Sequence, residues 1–396
     1  MNPPRSESSA AWFAAAIETA LSALDQEGRR RRLRPVALPG PRLVLSDGRQ
    51  LIDASSNDYL GLSQHPALKS RAREWIERFG TGARASRLVT GTLEATLEVE
   101  ARLAEFKGSE AALILNSGFQ ANAAVLPALF ELGGGRTAKV FTDRLNHASL
   151  HAGCAAAGVK QIRFQHNDLA QLEELLATHA AGAPAFIVTE SVFSMDGDRA
   201  DTAALATLAR RYNALLYLDE AHATGVLGPQ GRGLGYGLEN TVVMGTLGKA
   251  FGAAGAYIAG SRQLIDYLVN RCAGFIYSTA PAPATFGAVE AALDLMPLLD
   301  AEREKLAARG NALRARLAEL GIDTLSSATQ IVPAVLGSID AALAAQQRLE
   351  AEGVLAVAIR PPTVPAGSSR LRFSLSSAHS DEDFARLLAA VAVLRT

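Results

Sequence analysis

The chain has 396 residues, 48% hydrophobic and 20% charged, with 34 glycines and a formal net charge of -1. That length allows a large core and more than one domain, and the mixture excludes a disordered or fibrous chain. A net charge near zero gives nothing global to attract nucleic acid or an anionic membrane, so neither is expected as a partner.

The segment MNPPRSESSAAWF at the start carries no basic region ahead of an apolar run, unlike a signal peptide. No apolar run approaches the length that spans a bilayer. Cys154 and Cys272 stand far apart without metal-ligand spacing, which predicts a reducing, cytoplasmic setting and no metal site.

In chain order, Phe13, Ile17, Leu21 and Leu24 recur at helical spacing and predict an amphipathic helix over 10–27. RLVLSDGRQLID (42–53) reads as two strands around an Asp-Gly turn. After the glycine-rich GTGARASRLVTG (80–91), Thr96, Val99, Leu103 and Phe106 predict a helix from Thr92 to Phe106, stopped by Gly108.

Short apolar runs follow, each ending in residues capable of chemistry: AALIL-NSGF, KVFT-DRLNH, AFIVTE-SVFSMDGD, ALLYL-DEAH and TVVMG-TLGK. Such runs suit parallel strands buried on both faces. Their alternation with helices predicts a large doubly wound, mainly parallel α/β sheet, with ligands at the carboxyl ends of its strands. Beyond about residue 290, helical segments (300–320, 339–352, 381–395) alternate with strand-like QIVPAVLG, VLAVAIR and SRLRFSLS. The expected organisation is an N-terminal helix and hairpin (1–55), a large domain (56–290) and a smaller α+β domain (291–396).

Lys249 is the only charge in TVVMGTLGKAFGAAGAYIAG (241–260), and only six of the 39 Lys and Arg residues are lysine. A phosphate-binding P-loop is excluded, because Ala250 stands where Ser or Thr is needed and no glycine occupies the upstream position. GLGYG (233–237) lacks a preceding strand and the dinucleotide-binding spacing. A lysine in apolar surroundings has a depressed pKa and acts as a neutral amine toward a carbonyl. The usual carbonyl is the aldehyde of pyridoxal phosphate (PLP), which needs an acid for its ring nitrogen, donors for its phosphate and a stacked ring. Asp219 in ALLYLDEAH offers the acid, with His222 three residues on. The turn around Gly118 and Phe119 offers backbone N–H groups at a helix start, and His147 in DRLNHAS offers the ring. Ser194 and Thr246 offer hydroxyls.

Together, SSNDYLGL, NSGFQAN, DRLNHAS, ESVFSMDGD, DEAHATGVLG, TLGKAFG and YSTAPAP resemble the α-oxoamine synthases, in the same order, from about residue 20 onward. These are fold-type I PLP-dependent transferases that condense an amino acid with an acyl thioester and release CO₂. The resemblance implies that Lys249 holds the cofactor and Asp219 pairs with its ring nitrogen. It places His222 and Ser194 on the phenolic-oxygen side, His147 over the ring, and Gly118, Phe119 and Thr246 at the phosphate. Arg360 would bind the amino-acid carboxylate. Thr363 and an arginine of RRRRLR (29–34), best aligned as Arg31 among several registers, would meet the acyl substrate.

AIRPPTVPAGSSRLRFSLSSAH (358–379) resembles the family member using L-alanine and a pimeloyl thioester, with CoA or acyl-carrier protein as the thiol. Glycine-using sisters, such as the ligase that takes glycine and acetyl-CoA, are the alternative. The resemblance also implies a homodimer with a shared site, in which Ser278 or Thr279 reaches the neighbour's phosphate.

Overall fold

A computed structural model describes residues 11–180 and 182–395; the leading MNPPRSESSA, read above as unlike a signal peptide, lies outside them. The predicted hairpin forms as β2 (Arg42–Leu45) and β3 (Gln50–Asp53), preceded by the short β1 (Val36–Leu38). Its turn places Gly48 at φ 85°, a left-handed conformation that glycine adopts at little cost.

The central sheet holds β4 (Ala111–Leu115), β5 (Lys139–Asp143), β6 (Gln161–Phe164), β7 (Ala185–Glu190), β8 (Ala214–Asp219), β9 (Thr241–Thr246) and β10 (Ala256–Gly260). Their order across the seven-stranded sheet is β4-β10-β9-β8-β7-β5-β6. The five strands from β9 to β6 run parallel, as expected. One expectation needs correction: AALIL is not part of the parallel set. It pairs antiparallel with β10, which also runs antiparallel to β9. AYIAG was read only as the end of the apolar lysine segment; a tight return through Gly255 (φ 92°) turns it into this interposed strand.

Alternation along the strands divides the core between two faces. Leu113, Leu115, Val242 and Met244 pack with Val125, Leu126 and Leu129 of the helix Gly118–Leu132. Ala112, Ile114, Val243 and Tyr257 face the opposite side with Leu103, Phe251 and Val289. Both faces are thus covered by helices, which is the physical reason these strands read as continuous apolar runs.

The C-terminal residues build an antiparallel sheet of β11 (Ile331–Gly337), β13 (Val357–Ile359) and β14 (Ser369–Ser374), in the order β11-β14-β13. VLAVAIR is not one strand. Its first part forms β12 (Val354–Leu355), which pairs parallel with β3 and so joins the N-terminal hairpin's sheet. The helices Asp300–Glu319, Ile339–Ala351 and Asp381–Ala390 form as read, the last ending earlier and continuing as a 3-10 turn.

The predicted N-terminal helix spans Ala11–Gln26, yet none of its residues is buried, and Trp12, Phe13 and Ile17 are exposed. Among the described residues, its apolar spacing specified a helix that is left mostly open, with only Leu21 and Leu24 half-buried. No helix among the described residues is long and apolar enough to cross a membrane.

Candidate active site

Because β5, β7, β8 and β9 are parallel and in register, Asp143, Glu190, Asp219 and Thr246 emerge along one edge of the sheet. Lys249 follows β9 in a turn closed by Ala253 N–H to Leu247 O (2.9 Å) and Gly252 N–H to Lys249 O (2.9 Å). Gly252 (φ 61°) lies so close to Leu62 and Ser63 that a Cβ there would come within 2.4 Å of their backbone. The Lys249 Nζ lies 2.8 Å from His222 Nε2. Burial lowers the amine to about 8, against the attraction of Asp219 and with help from the Arg372 cation.

Asp219 is buried at the end of β8 and accepts from Ala221 N–H (2.9 Å) and Asn122 Nδ2 (2.8 Å). Desolvation raises its pKa, and these donors pull it back. Glu190, its neighbour across the ladder, is raised well above the ordinary range by burial and by the Asp219 charge. A carboxylate surrounded this way is suited to holding one cationic ring nitrogen. His147 caps the helix Ala148–Ala157; its backbone N–H donates to Glu190 Oε1 (2.5 Å) and its Nδ1 lies 2.7 Å from Ser149 Oγ. The residue is exposed on the cleft side, while desolvation by the surrounding protein lowers its pKa against the pull of Asp219.

His222 is buried between Lys249 and Tyr59, whose hydroxyl lies 2.6 Å from its Nδ1. Desolvation, then the Lys249 charge, pushes its pKa well below the usual histidine value. Ser194 is also buried, and its carbonyl accepts from Arg372 Nε (2.5 Å). The other Arg372 nitrogens reach Asn57 Oδ1 at 3.3 and 3.4 Å. Among the described residues no carboxylate pairs with this buried guanidinium, although burying an unpaired charge is costly. The nearby Arg370, by contrast, is paired with Asp196 (2.5 Å).

At the other side, Ser117 caps the helix Gly118–Leu132 by accepting from Gln120 N–H (3.2 Å). The Gly118 and Phe119 amides begin that helix, with Gly118 placed so that a Cβ would contact Thr246 Cβ at 4.0 Å. Two N–H groups and a dipole end therefore lie where an anion is favoured, near Thr246, whose hydroxyl donates to the Gly255 carbonyl at 3.1 Å. Ser278 Oγ accepts from Gln120 Nε2 (2.7 Å) and the Thr279 carbonyl from Asn116 Nδ2 (2.9 Å), bringing YSTAPAP beside the same helix start. An amine whose pKa is lowered to about 8, an acid for a ring nitrogen, an open imidazole and an anion cradle all fit PLP.

A second cluster lies where the N-terminal segment meets the C-terminal motif. Arg31 Nη2 donates to Thr363 Oγ1 (3.1 Å), and Arg360 donates to the Gly28 carbonyl. The other basic residues point elsewhere: Arg30 to Asp25, Arg29 to Glu27 (2.6 Å) and Arg34 to Glu350 (2.6 Å). Sequence reasoning gave no role to Asn122, Ser149, Tyr59, Asn57 or Arg372. All except Arg372 lie in the motifs NSGFQAN, DRLNHAS and SSNDYLGL, and Arg372 lies in the C-terminal RLRFSLS.

The family model for aminotransferase class I and II matches residues 49–391. An 8-amino-7-oxononanoate synthase of Gluconacetobacter diazotrophicus is 60% identical over 380 residues, covering 95% of this chain and 96% of the other. The chain belongs to the 8-amino-7-oxononanoate synthase family. A Geobacter sulfurreducens protein named 8-amino-7-oxononanoate synthase is 48% identical over 378 residues, covering 94% of this chain and 96% of the other. The fold is also that of Sphingomonas wittichii serine palmitoyltransferase, at TM-score 0.89 and 26% identity over 98% of both chains. A serine palmitoyltransferase solved with PLP matches at TM-score 0.88 and 25% identity over 98% of both chains. The 8-amino-7-oxononanoate synthase of Francisella tularensis matches at TM-score 0.74 and 26% identity, covering 87% of this chain and 97% of that one.

Proposed function

We propose that this chain catalyses the PLP-dependent condensation of L-alanine with a pimeloyl thioester, of CoA or of acyl-carrier protein. The products are 8-amino-7-oxononanoate, CO₂ and the free thiol, a step of biotin biosynthesis in the cytoplasm. The observation that carries the reading is Lys249, an amine whose pKa is lowered to about 8, 2.8 Å from His222 and beside Asp219, His147 and a buried arginine without an acid. Membership of the 8-amino-7-oxononanoate synthase family supports this substrate pair over glycine and acetyl-CoA.

PLP supplies an aldehyde for an amine and a protonated ring that takes up the electron pair released at the substrate's α-carbon. Lys249 would hold the cofactor, and its Nζ would take the α-proton and later return it; an amine near pKa 8 is matched to that exchange. Asp219, ionised, would keep the ring nitrogen protonated, and His147 would cover the ring. His222 and Ser194 would hold the phenolic-oxygen side, and the Gly118 and Phe119 amides with Thr246 would hold the phosphate. Tyr59 backs His222 and Arg372 backs Ser194, with Asn57 joining the two.

For the substrate carboxylate, burial favours Arg372 over the Arg360 expected from the motif. Among the described residues neither meets an acid and each donates to a backbone carbonyl, Arg360 to Gly28 and Arg372 to Ser194, but Arg372 is buried and Arg360 only half-buried. A fork-shaped guanidinium meets a carboxylate through two parallel bonds. Arg360 then joins Arg31 and Thr363 at the acyl end. The exposed Leu88, Val89, Leu97 and Tyr277 around the YSTAPAP segment support a homodimer that shares the site through Ser278 or Thr279.

The test is product identification by mass spectrometry from alanine, glycine or serine with pimeloyl-CoA and pimeloyl-acyl-carrier protein. The expected product is the C9 amino ketone from alanine alone, absent with Lys249→Ala. Preferred turnover of glycine with a short acyl thioester would overturn the reading.

A further inference from the structure

The hydrogen bonds around Asn122 run from Asp219 to His147 and allow one placement of the protons. An ionised Asp219 only accepts, so the Asn122 atom 2.8 Å from its Oδ2 is the amide nitrogen. The Asn122 oxygen then faces the Tyr217 hydroxyl, which donates to it at 2.8 Å. Of the two amide hydrogens, one goes to Asp219 and the other to Ser149 Oγ, at 2.9 Å. Ser149 Oγ accepts that bond, and its own hydrogen is directed at its remaining neighbour, His147 Nδ1, at 2.7 Å. The Ser149 backbone N–H approaches the same ring nitrogen at 3.3 Å, because His147 caps its helix. Two donors thus converge on Nδ1, which leaves no room for a proton of its own.

We propose that Asn122 and Ser149 are positioning residues that hold His147 as the neutral tautomer protonated on Nε2. In that form His147 is a hydrogen-bond donor on the open side of the cleft, with its only lone pair already engaged. It can polarise a carbonyl or carboxylate oxygen of the substrate but cannot take the α-proton. Lys249 is left as the base. The same amide of Asn122 ties the orientation of this donor to the charge on Asp219, so the two faces of the ring site are set together. The surroundings that depress the His147 pKa keep this neutral form populated at pH 7.

Which substrate oxygen is met rests on the function proposed above; the tautomer does not. Long-range ¹H–¹⁵N spectra of the histidine-labelled PLP enzyme, with the signal assigned by His147→Gln, read it directly. The expected spectrum shows Nε2 protonated and Nδ1 bare at pH 7. Ser149→Ala should show mixed tautomers and a roughly tenfold loss of kcat/KM, the effect of one neutral hydrogen bond. Ser149→Thr, which keeps the hydroxyl, should restore both. A wild-type spectrum with Nδ1 protonated, or a Ser149→Ala tautomer unchanged from wild type, overturns the proposal. The wild-type spectrum decides alone should a substitution prevent folding. A correct tautomer in an enzyme that makes no amino ketone would fault the proposed reaction and leave this inference standing.

Discussion

His222 bridges Lys249 and Tyr59, with Nε2 2.8 Å from the lysine Nζ and Nδ1 2.6 Å from the tyrosine hydroxyl. The Tyr59 hydroxyl donates onward to Asn57 Oδ1 at 3.0 Å, so the three bonds can run in one direction, from Lys249 to Asn57. A protonated Lys249 therefore has a route for its hydrogen bond, while burial drives it toward the neutral form.

This sets a sign for pH. Lys249 titrates near 8 in the fold and near 10.5 when unfolded, so the unfolded chain binds more protons between those values. The Lys249 contribution to the stability of the cofactor-free protein should rise with pH through that window, as the charge is relieved. It opposes the contribution of His166, and is read as the difference between wild type and Lys249→Met. Lys249→Met should raise stability at pH 7 by about 1–3 kcal/mol in urea denaturation. Borohydride trapping of added PLP on the wild type should accelerate as pH passes through about 8, and be absent in the variant.

Arg372 and Arg360 should separate kinetically. Arg372→Ala should lower kcat/KM for alanine by about a hundredfold with PLP still bound, because two charge-assisted hydrogen bonds are lost. Arg360→Ala should act mainly on the thioester. Equal effects of both variants on alanine would remove the argument from burial.

Arg31→Ala should raise KM for the thioester by about three- to tenfold, the range expected of an exposed arginine, with alanine saturation unchanged. Because Arg31 and Thr363 share a hydrogen bond, their double variant should show less than the product of the two single effects. Additive losses would mean that the two act apart.

His166 joins two loops of the site, with Nδ1 3.1 Å from Asp143 and Nε2 2.7 Å from Asp198. Despite the cost of burial, those carboxylates raise it to about 10. A raised folded pKa contributes stability fully below the ordinary value of 6.5 and loses it as pH climbs toward 10. His166→Gln should cost about 2–3 kcal/mol at pH 7 and flatten the alkaline decline in a pH series of urea unfolding.

Lys107 and Glu220 form an ion pair at 2.7 Å with both side chains fully enclosed. Glu220→Gln should destabilise by about 3–5 kcal/mol, since it leaves Lys107 buried without an opposite charge. Chemical denaturation checks it; a loss under 1 kcal/mol would mean that water reaches the lysine.

Lys249, Asp219 and His147 were legible because each follows a short apolar run, and parallel strands bring their carboxyl ends to one edge. The family motifs gave Arg31 from several registers, and only the tertiary structure puts Arg31 beside Thr363. Arg372 was not legible. SRLRFSLS shows two arginines on alternate positions of one strand, and only packing reveals that Arg370 meets Asp196 while Arg372 meets no acid. Nor does NSGFQAN say that Asn122, one turn into its helix, points back under Asp219.

The sequence by itself determined the α/β class, the strand ends that carry chemistry and the identity of the lysine. Periodicity and composition report which residues must be buried, and a charge inside an apolar run is visible as an exception. Only the tertiary structure decided that AALIL pairs antiparallel with a returning AYIAG, and that the apolar stripe of the first helix stays mostly open. It also decided which strand arginine meets an acid and which groups surround each histidine nitrogen. These depend on contacts between distant segments, and a hydrogen bond constrains protons only once both its partners have been placed.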